Sequence, residues 1–168
     1  SDLTAPRVDQ ALMLALVRAF DPKLRQFYEV GPGANKELGG IEVTEIGIPV
    51  MQMQDMRYFR DANFLRNASY IGVMRVSPLM GDPNSLARNI EYNVEQGCKL
   101  MQHYLDIVQG ANLVNDYVFT AFDLKPEQKQ KAIWVGAISM YLGYEREYNL
   151  LLNSNKKMPY LVSQIIKS

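Results

Sequence analysis

Apolar residues recur at the spacing of an α-helix through most of the chain, and the breaks between them carry helix start and stop signals. Leu12, Leu16 and Ala19 mark one stripe in a segment expected to be helical over 8–20, with Thr4 and Pro6 as start signals. Asp21-Pro22 restarts the chain into a short helix to about Glu29, and the glycine-rich 31–40 ends it. Tyr58, Ala62, Leu65, Ser69, Gly72 and Val76 form a further stripe over 55–76, closed by Ser77-Pro78. Asp82-Pro83 opens a pattern reaching about Phe122, with Leu86, Ile90, Val94, Met101, Leu105 and Val108 on its core face. Unbroken, at 1.5 Å per residue, it would be about 60 Å long, against a diameter of about 40 Å for a compact chain of this size. A break is therefore expected, at Gly110, leaving a separate helix over 113–122. Asp123 to Pro126 reads as a turn, Pro126 as the start of a helix to about Asn153, and the tail from Pro159 as a short helix presenting Leu161, Val162, Ile165 and Ile166.

One stretch departs from this period. In 41–52, Ile41, Val43, Ile46, Ile48 and Val50 are apolar and β-branched, while Pro49 forbids a central strand. An extended arm or small hairpin fits, lying on its own helices or pairing with another chain. The fold expected is all-α: an irregular bundle of six or seven helices around a buried central helix at about 126–153, within a single domain spanning 1–168.

The central position follows from 132–144, which holds no charged residue. A helix apolar on every side is surrounded by protein or membrane, and this one is too short to span a bilayer. Ala132, Gly136, Ser139 and Gly143 recur at i, i+4, i+7 and i+11, a seam of small side chains. Interior glycine costs about 1 kcal/mol against alanine, so close packing must compensate, or a flat apolar ligand must lie in the groove. Trp134, Ile138, Tyr141 and Tyr148 on the other flank could line such a groove.

Composition narrows the functions. The 168 residues hold 18 basic and 18 acidic side chains, and a net charge of zero argues against a general nucleic-acid binder. One cysteine and one histidine leave no disulfide framework and none of the common zinc clusters, so no metal or cofactor is expected. No run of apolar residues is long enough for a membrane span. The abundance of Asn and Gln leans toward an exported or envelope protein. The opening SDLTAPRVDQ reads as a chain whose leader was removed or whose start was trimmed. Asn67-Ala68-Ser69 is a formal glycosylation sequon inside a helical pattern and is read as chance.

Catalytic constellations are missing. His103 and Cys98 diverge around their helix, and Glu91, Glu95, Cys98 and Gln102 share a face read as a polar edge beside a small thiol. Cys98 follows Gly97 in mid-helix with nothing to lower its pKa. Gly31 to Lys36 fits neither the Walker nor the dinucleotide pattern. Glu145 and Glu147 flank Arg146 as an exposed rim. RDANFLRNASY, Arg60 to Tyr70, resembles the conserved helix of phycobiliproteins, which are helical and of similar length. Its Arg-Asp to Leu-Arg spacing differs, and Tyr58 stands where the chromophore-bearing cysteine would be expected, so no chromophore chemistry carries over.

Surface composition points elsewhere. Tyr141, Tyr144 and Tyr148 share a helical face, and methionines at 51, 53, 56, 74 and 80 flank the arm and the helix after it; both residue types suit adaptable protein contacts, and filling one irregular core explains them equally well. The function expected is a non-enzymatic structural or adaptor subunit that binds a protein partner or a second copy of itself. Ile41, Val43, Ile46, Ile48, Met51, Met53, Tyr144 and Tyr148 are its candidate contacts. The alternative is a module for an apolar small molecule, held along Ala132, Gly136, Ser139 and Gly143 with Trp134 and Tyr141. A third is an enzyme with a dispersed site drawing on Arg57, Arg60, His103 and Glu145.

Overall fold

A computed structural model describes residues 6–20 and 72–167, and among the described residues the chain is helical, without strands. The arm at 41–52, the helix expected after Asp21-Pro22 and most of the 55–76 stripe lie outside the described residues. Two compact units divide the chain: one combines Ser1–Ala15 with Lys99–Ser168, the other is Leu16–Cys98.

Helix α1 is Gln10–Phe20, close to the expected 8–20, with Met13, Leu16 and Val17 buried. The stripe expected to stay helical to Val76 is not helical from Gly72 onward. Residues 72–75 form a turn, with Gly72 at φ 78° and Arg75 at φ 49°. Left-handed backbone at two of four positions breaks the ladder, which the apolar spacing alone does not reveal.

Ser77 then caps a 3-10 turn, Pro78–Met80, by accepting from the Leu79 amide. Asp82 caps α2, Pro83–Arg88, by accepting from the Ser85 amide, with Pro83 in its first turn as expected. The pattern from Asp82 does not run unbroken to Gly110. Asn89 turns extended at φ −120° and separates α2 from α3, Ile90–Gly110. Its Oδ1 accepts from the Tyr92 amide at 3.0 Å, so one asparagine ends a helix and caps the next.

In the Leu16–Cys98 unit a buried amide joins these pieces. Asn93, fully buried, accepts from the Met74 amide at 2.9 Å and donates to the Leu86 carbonyl at 3.1 Å. Gly97, one turn further along α3, lies against Met74: a β-carbon there would come within 2.7 Å of Met74 Cβ. Met74, one of the methionines that suit either adaptable contacts or an irregular core, is core.

The break after α3 falls where chain length demands it, but Gly110 does not make the turn. Asn112 does, at φ 51°. Its amide donates to the Gln109 carbonyl and the Leu113 amide to that of Val108, the paired bonds of a Schellman ending. The same pair recurs after α4, Asp116–Ala121, around Asp123, and after α5, Lys129–Tyr141, around Gly143. Helix α4 is shorter than the expected 113–122 because Asn115 caps it, accepting from the Tyr117 amide.

The expected central helix over 126–153 is two helices. Pro126 lies in a turn, and Gln128, whose Oε1 accepts from the Lys125 amide, precedes α5. Gly143, at φ 84°, ends α5, and α6, Glu145–Leu151, follows. Helix α7, Tyr160–Ile166, closes the chain with Val162, Ile165 and Ile166 buried, as the tail pattern predicts.

The central role of α5 holds. Every residue from Ala132 to Tyr141 is buried, and α4, α6 and α7 all pack against it. Ser139 satisfies its buried hydroxyl by donating to the Val135 carbonyl one turn back.

Candidate functional site: a basic-rimmed cleft beside α7

The small-residue seam is the first place to look for a ligand, and the chain fills it itself. At Gly136 a β-carbon would lie 2.9 Å from the Tyr148 hydroxyl oxygen and 3.0 Å from Val108 Cγ2. Tyr148 is fully buried there, and its hydroxyl donates to the Leu113 carbonyl at 2.5 Å. Burial pushes its phenol well above the ordinary range, because a phenolate would lose its hydration. Ala132 and Ser139 are buried on the same helix, while Gly143 has left the helix for its exposed terminal turn. Trp134 and Tyr141, proposed to line a groove, are buried as well.

This arrangement corrects one partner contact. Tyr148, expected on an outward tyrosine face, is core, because the break at Gly143 resets the helical phase between α5 and α6. Tyr144, in the turn between them, is half-buried. Ile41, Val43, Ile46, Ile48, Met51 and Met53 lie outside the described residues, as do Arg57 and Arg60. His103 is exposed, its ring against that of its neighbour Tyr104. Glu145 and Arg146 edge an open hollow on α6 with Asn149, Leu150 and Asn153.

The face of Glu91, Glu95, Cys98 and Gln102 has a role the spacing did not show. Gln102 clamps the segment before α1, accepting from the Val8 amide at 3.0 Å and donating to the Pro6 carbonyl at 3.2 Å. The Cys98 thiol is half-buried, and desolvation pushes its pKa up, which holds it in the unreactive protonated form. Among the described residues no cluster of His, Cys, Asp or Glu could hold a metal.

A different feature has the geometry of a site. A cleft of about 430 Å³ opens between the end of α4, the loop from Leu152 to Pro159, and the start of α7. Phe122, Leu151 and Met158 form its apolar floor, all buried. Its rim is polar and exposed: Tyr117, Thr120, Asn155, Lys156, Lys157 and Tyr160, with Ser163 half-buried below. Among the described residues, two lysines line it and no carboxylate does.

Local bonds fix its walls. Asn115, while capping α4, donates from Nδ2 to the Leu152 carbonyl at 2.7 Å, pinning the start of α4 to the end of α6. The Phe122 amide donates back to the Val118 carbonyl at 3.2 Å, so the floor residue is held at the C-cap of α4. Pro159 precedes the first turn of α7, where its missing N–H costs nothing.

The sequence held a signal for this site that apolar periodicity passes over. From Tyr148 to Ser168 there are three lysines and no acidic residue, in a chain of zero net charge. Compared with family models, with curated proteins and with solved structures, the chain matches none. Among the described residues no helix is long and apolar enough to cross a membrane.

Proposed function

We propose that this chain is a non-enzymatic helical subunit that binds a protein partner, and that the cleft between α4 and α7 is its docking face. The observation that carries the reading is Tyr160. It is 79% exposed at the rim, beside Lys156 and Lys157 and over an apolar floor. A large aromatic left in water above apolar surface is what a protein interface covers, and tyrosine anchors are frequent among the residues that dominate binding. Tyr117, 39% exposed, offers a second ring on the opposite wall. The apolar arm at 41–52 is proposed as a further contact, on its sequence alone.

Binding of an apolar small molecule along Gly136 draws no support, since Tyr148 and Val108 occupy that space. Native mass spectrometry at low salt, on the protein purified from its source, tests the reading. A complex heavier than 19.1 kDa that dissociates in Tyr160→Ala supports it. A monomer alone, or an assembly indifferent to Tyr160, contradicts it.

A further inference from the structure

Resting on that reading, we propose that the occupant of the cleft is an acidic peptide segment of the partner, inserting one aromatic or large aliphatic side chain between its carboxylates. Charge complementarity fixes the sign. Lys156 and Lys157 stand exposed at the rim, and among the described residues no carboxylate lines the cleft. Two adjacent like charges repel each other, and an acidic segment relieves that repulsion while steering its own approach.

The floor fixes the inserted group. Phe122 and Met158 are buried beneath the opening, and a methionine surface adapts to differently shaped apolar side chains. The rim fixes the class of ligand. Small-molecule pockets enclose most of the ligand's surface, whereas Tyr117, Tyr160 and both lysines remain exposed around this opening. A planar bilayer would meet the rim lysines yet fail to reach a recessed floor, while a peptide side chain can reach it.

The experiment selects from a random peptide library displayed on phage, using the full chain as bait. The winning peptide is then labelled and titrated by fluorescence anisotropy. The expected winners are rich in Asp and Glu around an aromatic or Leu. Their affinity falls about tenfold in the Lys156→Glu/Lys157→Glu double variant, with a similar loss on raising salt. Tyr160→Ala weakens it about thirtyfold, as removal of an interface anchor does. Circular dichroism and chemical denaturation check that both variants fold.

Winners without acidic bias that still depend on Tyr160 would overturn the acidic occupant and leave the protein-binding face standing. Winners indifferent to Tyr160 and to both lysines would overturn the occupant and the face together. A parallel titration uses phosphatidylserine vesicles. Vesicle binding that the lysine variant abolishes, with no peptide selected at the cleft, would assign the face to a membrane and overturn the proposal.

Discussion

Two places within one unit of the chain differ in how their space is used. At Gly136 the backbone of α5 offers room for a ligand, and Tyr148 from α6 occupies it, its hydroxyl satisfied by the Leu113 carbonyl. Between α4 and α7 the room is left open, with a buried apolar floor and an exposed rim of tyrosines and lysines. The first arrangement stabilises the fold, because a buried ring is matched to a missing side chain and its one polar atom is paired. The second leaves exposed aromatic area that folding alone does not use. Small residues at helical spacing thus mark a place where something fits closely, and only the structure shows whether that something comes from the chain itself.

The contrast predicts effects of different kind and size. Tyr148→Ala should cost the most, about 3–5 kcal/mol in urea denaturation, since it empties a fully buried site. Gly136→Ala should cost about 1–3 kcal/mol by the same assay, although alanine is the better helix former, because the added methyl meets Tyr148 and Val108. If Gly136→Ala proves stabilising, the seam is looser than described and the ligand-groove alternative regains its footing.

Tyr148→Phe isolates the hydroxyl and should cost about 1–2 kcal/mol near neutral pH, by leaving the Leu113 carbonyl without that donor. It also carries a pH signature. Below the ordinary phenol range both native and unfolded states keep the proton, so the contribution of Tyr148 is complete. As pH rises through that range the unfolded chain ionises first, while burial holds the native phenol protonated, so stability falls. The phenylalanine variant should show a shallower alkaline decline, and equal slopes for the two proteins would show that Tyr148 is not desolvated. The smallest effect belongs to the cleft. Lys156→Glu/Lys157→Glu should change stability by no more than about 0.5 kcal/mol, as exposed substitutions usually do. A larger loss would mean that the lysines serve the fold.

Much of the fold was legible because it depends on local rules. Asp82-Pro83 capped and started α2, Pro159 preceded α7, and the uncharged 132–144 marked the buried part of α5, 132–141. What escaped were residues that act twice or act against their type. Asn89 interrupts an apolar stripe whose spacing continues through it, since Leu86 and Ile90 keep helical register across the break. Asn112 and Asp123 take the left-handed position that a sequence reading assigns to glycine, so Gly110 was given a turn made two residues later.

The site was less legible than the fold. Tyr148 shares a helical face with Tyr141 and Tyr144 only if the helix is continuous, and the positive φ at Gly143 breaks that register. The cleft draws on α4, α7 and the loop between Leu152 and Pro159, far apart in sequence, and the bond from Asn115 to the Leu152 carbonyl that sets its wall spans 37 residues. The lysine pair was visible, but two adjacent charges in a loop gain meaning only once an apolar floor is found beneath them.

Hydroxyl-radical footprinting with residue-level mass spectrometry, on the native chain with and without the selected acidic peptide, tests the contrast most directly. The account predicts strong labelling of Tyr160 and moderate labelling of Tyr117, both suppressed by the peptide, with Tyr148 unlabelled throughout. Labelling of Tyr148 in the folded chain, or peptide protection that bypasses Tyr160 and Tyr117, would contradict it.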